Sequence, residues 1–343
     1  MTLFKTSYMK FLFSKLTLVL MLCQAGILLN AQTIKLLNST SKASLRGLCV
    51  VDDNIVWVSG SGGTVGRSVD GGDSWTWMTV KGFEKADFRD IEAFDSKTAI
   101  IMGIASPAYI LKTTDGGTSW NEVFKDTAKE MFLDAMDFWD QKRGVVIGDP
   151  VNGRIFLAQT LDGGDNWREM KTNTFNVDSG EACFASSGTN IRKLNYVSNV
   201  YVTGGKASHI FVHNEKREMP IVQGAETTGA NSIAIKDSRT FIVVGGDFTK
   251  KDTVYKNCVL TFDGGKTWTV PSVPPHGYRS CVEYLEKESW ITCGLNGVDY
   301  STNGGMTWTW ISKDGFHAVQ KAKKGKAVYF SGGGGRIGKL IKN

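Results

Sequence analysis

The chain has 343 residues, 22% of them charged, and a formal net charge of +6. Three lysines of that excess, Lys5, Lys10 and Lys15, lie in the first fifteen positions, so the remainder is only weakly basic and offers no footprint for nucleic acid. The length would allow two domains, but a ring of short β-units of this size folds as one.

The first thirty-one residues read as an export leader. The three lysines precede an apolar run from Leu16 to Leu22, which continues more weakly to Leu29. Cleavage is expected after Ala31, leaving 32–343 as a single exported domain, periplasmic or secreted. Leu22 stands where a lipidation signal needs a small residue, which argues against anchoring at Cys23. No later stretch approaches the roughly 20 apolar residues of a membrane span. Five cysteines remain: Cys49, Cys183, Cys258, Cys281 and Cys293. They lack metal-site spacing and read as small buried side chains. Cys281 and Cys293 flank the short turn Glu286-Lys287-Glu288, so they are expected opposite one another in a hairpin. A directly cross-strand disulfide is strained, so both are expected as free thiols.

Seven segments then recur along the chain. They are Leu45-Arg46-Gly47-Leu48, Phe88-Arg89-Asp90-Ile91, Phe132-Leu133-Asp134-Ala135, Gly180-Glu181-Ala182-Cys183, Ala230-Asn231-Ser232-Ile233, Tyr278-Arg279-Ser280-Cys281 and Phe316-His317-Ala318-Val319. Each is followed by a strongly apolar strand ending in glycine, such as Ile55-Val56-Trp57-Val58-Ser59-Gly60 or Phe241-Ile242-Val243-Val244-Gly245-Gly246. Short β-rich runs between glycine-rich turns, without helical periodicity, give an all-β fold. Seven units of four antiparallel strands give a seven-bladed β-propeller. The last unit is one strand short, and Thr33-Ile34-Lys35-Leu36-Leu37 is unassigned. The N-terminal strand is therefore expected to complete the last blade and close the ring, because an open ring would expose two strand edges.

Five units carry one turn motif. It runs Ser68-Val69-Asp70-Gly71-Gly72-Asp73-Ser74-Trp75 and recurs around Asp115 and Trp120, Asp162 and Trp167, Asp263 and Trp268, and Asn303 and Trp308. The carboxylate accepts turn amides, the glycines permit positive φ, and the tryptophan has a large ring to bury. Between Asp162 and Asp263 the step doubles, which places a degenerate copy near Val212-His213-Asn214. The motif resembles the Asp box, or BNR repeat, of sialidases, sortilin-type receptors and the photosystem II stability/assembly factor family. In those families the box is structural, so its aspartates are not expected to be catalytic.

Propeller strands alternate in direction, so these turns share one face and the starts of the innermost strands share the other. The second face would carry Arg46, Arg89, Asp134, Glu181, Arg279 and His317, with Asp149 on a neighbouring loop. Arginines converging there would bind an acidic group of a protein or glycan. The competing reading pairs Arg46, Arg89 and Arg279 with Asp90, Asp134 and Glu181 in a structural ion-pair ring. Over the whole mature chain the sequence resembles bacterial relatives of the photosystem II stability/assembly factor. That resemblance implies a monomeric, non-enzymatic assembly module that binds a membrane or envelope protein through an arginine-bearing face. The alternative is a sialidase-like glycoside hydrolase or glycan-binding propeller, with Glu181 and Asp134 or Asp149 as paired carboxylates. No metal or cofactor is expected. Gly333-Gly334-Gly335-Arg336-Ile337-Gly338 fits a dinucleotide-binding pattern, but no helix can follow it, so an oxidoreductase is unsupported.

Overall fold

The structure, a computed structural model, describes residues 32–170, 176–213 and 215–342. The expected leader, 1–31, lies outside them. Among the described residues no helix is long and apolar enough to cross a membrane.

Seven antiparallel sheets follow one another along the chain. Blade 1 illustrates the unit. Leu45–Val50 is innermost, Val56–Gly60 and Thr64–Ser68 come next, and Thr76–Thr79 lies outermost. The first three are apolar and buried because they are sandwiched between neighbouring blades, whereas the outermost is largely wet. Blades 2, 3, 6 and 7 repeat this order. In blade 5 the outermost strand shrinks to Thr269, which exchanges both backbone hydrogen bonds with Leu260. In blade 4 the third and fourth strands, His209–Val212 and Glu215–Glu218, flank the place of the expected degenerate turn, of which Asn214 lies outside the described residues.

The ring closes as the missing strand suggested. Gln32–Leu36 pairs antiparallel with Ile337–Lys342, opposite the innermost strand of blade 7, Ala318–Lys321. Gly333–Gly335 forms a short 3-10 turn within that blade, and the strand Ile337–Lys342 follows it.

The repeated turn is a hydrogen-bond cage. Asp70 Oδ1 accepts from the Ser74 amide at 2.9 Å and from Ser68 Oγ at 2.8 Å, and Ser68 Oγ accepts the Gly72 amide. Gly71 and Gly72 stand at φ 74° and 89°, where a side chain would be strained. Hydrogen bonds from Ser74 and Ser119 hold the Asp70 and Asp115 carboxyls down to about 2. Asn303 closes the same cage with one bond reversed, its amide nitrogen donating to Thr307 Oγ1. Each tryptophan packs toward the preceding blade. Trp308 is buried, while Trp75, Trp120, Trp167 and Trp268 are only half-buried, so these rings fill the outer rather than the inner part of the interface.

Cys281 stands directly opposite Cys293. All five described cysteines are buried and unlinked.

Candidate functional site

Four innermost strands start with the same irregularity. In blades 1, 2, 3 and 5 the register slips between Leu45 and Gly47, Phe88 and Asp90, Leu133 and Ala135, and Ala230 and Ser232. The residues left over are Arg46, Arg89, Asp134 and Asn231. A bulge re-aims its side chain, and here it directs an equivalent residue from each blade toward the axis. In blade 6 the same position falls on Ser280. Cys281 is the first paired residue there, and Arg279 lies one place earlier, beside Gly294.

That single step separates Arg279 from the other arginines, since adjacent strand residues face opposite ways. Arg279 is fully buried between blades, where Phe88 sits in blade 2. Its Nε donates to Asp299 Oδ2 at 2.7 Å, Nη2 pairs with the same oxygen, and Nη1 donates to Asn296 Oδ1 at 2.6 Å. It is a structural ion pair and does not reach the central opening.

Blade 4 departs most from expectation. Its innermost strand is Ile191–Lys193, ten residues beyond Glu181. Glu181–Ala182 instead pairs with Gly204–Gly205, which extends the sheet of blade 5 inward. The chain from Cys183 to Thr189 then crosses the axis. Cys183 N donates to Asp149 Oδ1 of blade 3 at 2.8 Å, and Ser186 Oγ donates to Asn231 Oδ1 of blade 5 at 2.7 Å. Ser187 Oγ donates to the Ser280 carbonyl of blade 6 at 2.7 Å. Gly188 lies against Asp90 of blade 2, so closely that a Cβ would sit 2.3 Å from a carboxylate oxygen. A cavity lies on either side of the crossing, one lined by residues 183–186 and the other by Ser187 and Gly188.

The upper chamber opens on the face opposite the repeated turns. It is a cup of about 420 Å³ lined by Arg46, Arg89, Asp149 and His317 among the expected residues. Arg89 Nε donates to Asp87 Oδ2 at 2.8 Å, and its guanidinium lies 6.0 Å from the Phe132 ring centre. Arg46 has no carboxylate within ion-pair distance among the described residues. Its only hydrogen bond there runs from Nη1 to the Ser186 carbonyl, at 3.2 Å. Burial, then the nearby Arg89 charge, lowers the Arg46 pKa. The competing reading, a ring of Arg46, Arg89 and Arg279 with Asp90, Asp134 and Glu181, is therefore not what forms among the described residues.

His317 is neutral. Burial, then Arg46 and Arg89, push its pKa down to about 3, and Nε2 lies 3.2 Å from Ser44 Oγ. Burial raises Asp149 to about 6, against the Cys183 amide. Asp134 is fully buried and does not line the cup. Burial and Asp149 raise its carboxyl well above the usual range, and the Ala185 amide pulls it down without closing a hydrogen bond.

Glu181 is engaged elsewhere. Its side chain is inaccessible and takes hydrogen bonds from Thr203 Oγ1, His209 Nδ1 at 3.0 Å and Lys216 Nζ at 3.2 Å. Burial alone would raise this carboxyl, but the bonds from His209, Thr203 and the Asp178 amide hold it down to about 2. The cluster fastens the start of the crossing segment to blade 4.

Sequence reasoning missed the other half of the cup. Phe132, Phe184, Phe248, Tyr278 and Leu295 complete its wall. Phe248 follows Gly245-Gly246-Asp247 at the end of the strand Phe241–Asp247. An aromatic residue in a glycine-rich loop was the available signal.

The lower chamber, of about 320 Å³, is lined by four carboxyl and four basic side chains. Lys323 pairs with Glu92, and Asp90 accepts the amides of Ile91 and Met136 at 2.8 and 2.7 Å. Burial raises the Asp90 carboxyl to about 8.

No protein-family model and no curated protein sequence matches the chain. Solved structures do. YCF48 bound to D1 peptide superposes with a TM-score of 0.64 at 15% identity, covering 93% of this chain and 97% of that one. YCF48 from Cyanidioschyzon merolae gives 0.64 at 16%, covering 90% and 98%. The WD40 propeller domain of Doa1 gives 0.60 at 13%, covering 92% and 96%. At such identities the likeness is one of fold: the chain is a seven-bladed β-propeller, similar over nearly its whole described length to YCF48 and to WD40 propellers.

Proposed function

We propose that this propeller is a non-enzymatic binding module, exported after removal of 1–31, that recognises an acidic group of an envelope or membrane protein partner through the Arg46–Arg89 cup. One observation carries the reading. Among the described residues Arg46 has no carboxylate within ion-pair distance, although Asp149 lines the same cup, so a guanidinium face is left for an incoming anion. Arg89, paired with Asp87, adds a second guanidinium to the same cup. The fold is compatible with the task, since the similar YCF48 structure is a complex with a D1 peptide. The sugar-cleaving alternative has less support. Of Glu181, Asp134 and Asp149, only Asp149 lines the cup, and a glycosidase needs two carboxyl groups about the bond.

The reading is tested by site-specific photo-crosslinking in cell envelopes. A photoreactive residue at Ser61, on the cup face, should crosslink to a protein partner, and one at Asp165, on the turn face, should not. Crosslinking from Asp165 alone would contradict it.

A further inference from the structure

The cup has two unlike sides. Arg46, Arg89 and neutral His317, from blades 1, 2 and 7, form one, and blade 3 adds Phe132 and the carboxyl of Asp149 to the wall. Phe184 of the crossing segment, Phe248 of blade 5, and Tyr278 and Leu295 of blade 6 form the other. The apolar side is already assembled. Phe248 meets Phe184 edge-on at 6.0 Å and Tyr278 at 6.4 Å. Tyr278 is anchored from behind by its hydroxyl, 2.8 Å from Asn231 Oδ1. Yet Phe248 and Leu295 remain 39% and 40% exposed. Two large apolar side chains wetted at the rim of a charged cup mark a binding surface rather than a core.

We propose that the cup reads a two-part signal: an acidic group with an aromatic or branched aliphatic side chain one residue away in an extended peptide segment. The acidic group meets Arg46 and Arg89, and the apolar side chain covers Phe248 and Leu295. A side chain alternates direction along an extended chain, so neighbouring residues of the ligand reach the two opposed sides of the cup. The crossing segment is tied across the axis behind the cup by Ser186 and Ser187, so the ligand is expected to enter and leave by the same mouth. Phe248 and Leu295 thereby become specificity-determining residues. This inference rests on the cup being the partner site.

The test uses the 32–343 protein and three capped tetrapeptides: acetyl-Gly-Phe-Asp-Gly-amide, the same with Ala for Phe, and the same with Asn for Asp. Isothermal titration should rank the Phe-Asp peptide first, about tenfold tighter than either other. In a Phe248→Ala/Leu295→Ala double variant, both positions being exposed, the Phe-Asp peptide should fall to the affinity of the Ala-Asp peptide, which itself should not change. Equal binding of the Phe-Asp and Ala-Asp peptides would overturn the inference. So would failure of all three to bind while partner crosslinking from Ser61 persists; the cup would then remain the partner site. If crosslinking from Ser61 is also absent, the reading of the cup fails and takes the inference with it.

Discussion

Arg46 Nη1 donates to the Ser186 carbonyl at 3.2 Å, joining blade 1 to a segment that leads into blade 4 on the far side of the axis. A propeller channel is usually bounded only by its inner strands. Here one of those strands starts late, and the chain freed by its shortening crosses the axis. The same bond orients the guanidinium proposed to meet the partner, so crossing and cup depend on each other.

The crossing should be intolerant of a side chain at Gly188. Its φ is 67° and a Cβ would meet Asp90 at 2.3 Å. Gly188→Ala is expected to lower stability by about 1–3 kcal/mol through backbone strain and displacement of a buried carboxyl. Urea titration of the purified variant checks this, and an unchanged midpoint would mean that the crossing is loosely held.

Closure by the N-terminal strand gives the second prediction. Deleting Thr33 to Asn38 removes the pairing with Ile337–Lys342 and exposes strand edges. The truncated protein should melt many degrees lower or aggregate on light scattering. Melting like the full 32–343 protein would remove the strand from any closing role.

The turns should act on stability and not on binding. Trp308 is buried at the junction of blades 5 and 6, so Trp308→Ala should cost about 3–5 kcal/mol. Asp115→Ala strips the Ser119 amide and Thr113 hydroxyl of their acceptor and should lower the melting temperature, with partner crosslinking from Ser61 retained. Lost crosslinking in a variant that melts normally would place the ligand on the turn face.

Stability should peak in mildly acidic solution. The Glu181 carboxyl is depressed to about 2, so its contribution is present above the unfolded value of about 4.3 and is lost as pH falls toward 2. His209 is opposed by burial but raised by Glu181 and Glu218. Its contribution is therefore complete below about 6.5 and is lost as pH rises through the elevated folded value. Asp149, raised to about 6 by burial, costs stability once ionised. Thermal melts should be highest between about pH 4.5 and 6.5. His209→Gln should flatten the alkaline limb, and Asp149→Asn should raise the melting temperature at pH 7.5 but not at pH 4. A flat profile in the parent would discount the Glu181–His209 contact.

The architecture was legible because each level of the sequence agreed. Turn motif, glycine-ended strands and the one missing strand all specified seven blades and a closure. The cup was half legible. Arg46 and Arg89 share an offset within their segments, and the bulges preserve it. Arg279 shares that offset in letters only: the pairing of Cys281 with Cys293 shifts it by one residue, and one residue reverses the face. Glu181 was misplaced for a different reason. Its segment resembles an innermost strand but pairs with Gly204–Gly205, and no local pattern reports that the true strand begins at Ile191. The aromatic side of the cup comes from loops of separate blades, which only the closed ring brings together.

The most direct test of the cup is the affinity of the 32–343 protein for the partner crosslinked from Ser61, compared with that of an Arg46→Ala/Arg89→Ala variant at two salt concentrations. Surface charges are screened over about 8–10 Å near physiological ionic strength, and each lost charge-assisted contact should cost severalfold in binding. The account predicts a double variant that stays folded, binds at least about tenfold more weakly at low salt, and loses most of the salt dependence seen in the parent. A folded double variant that binds with the parent's affinity and salt dependence would contradict it.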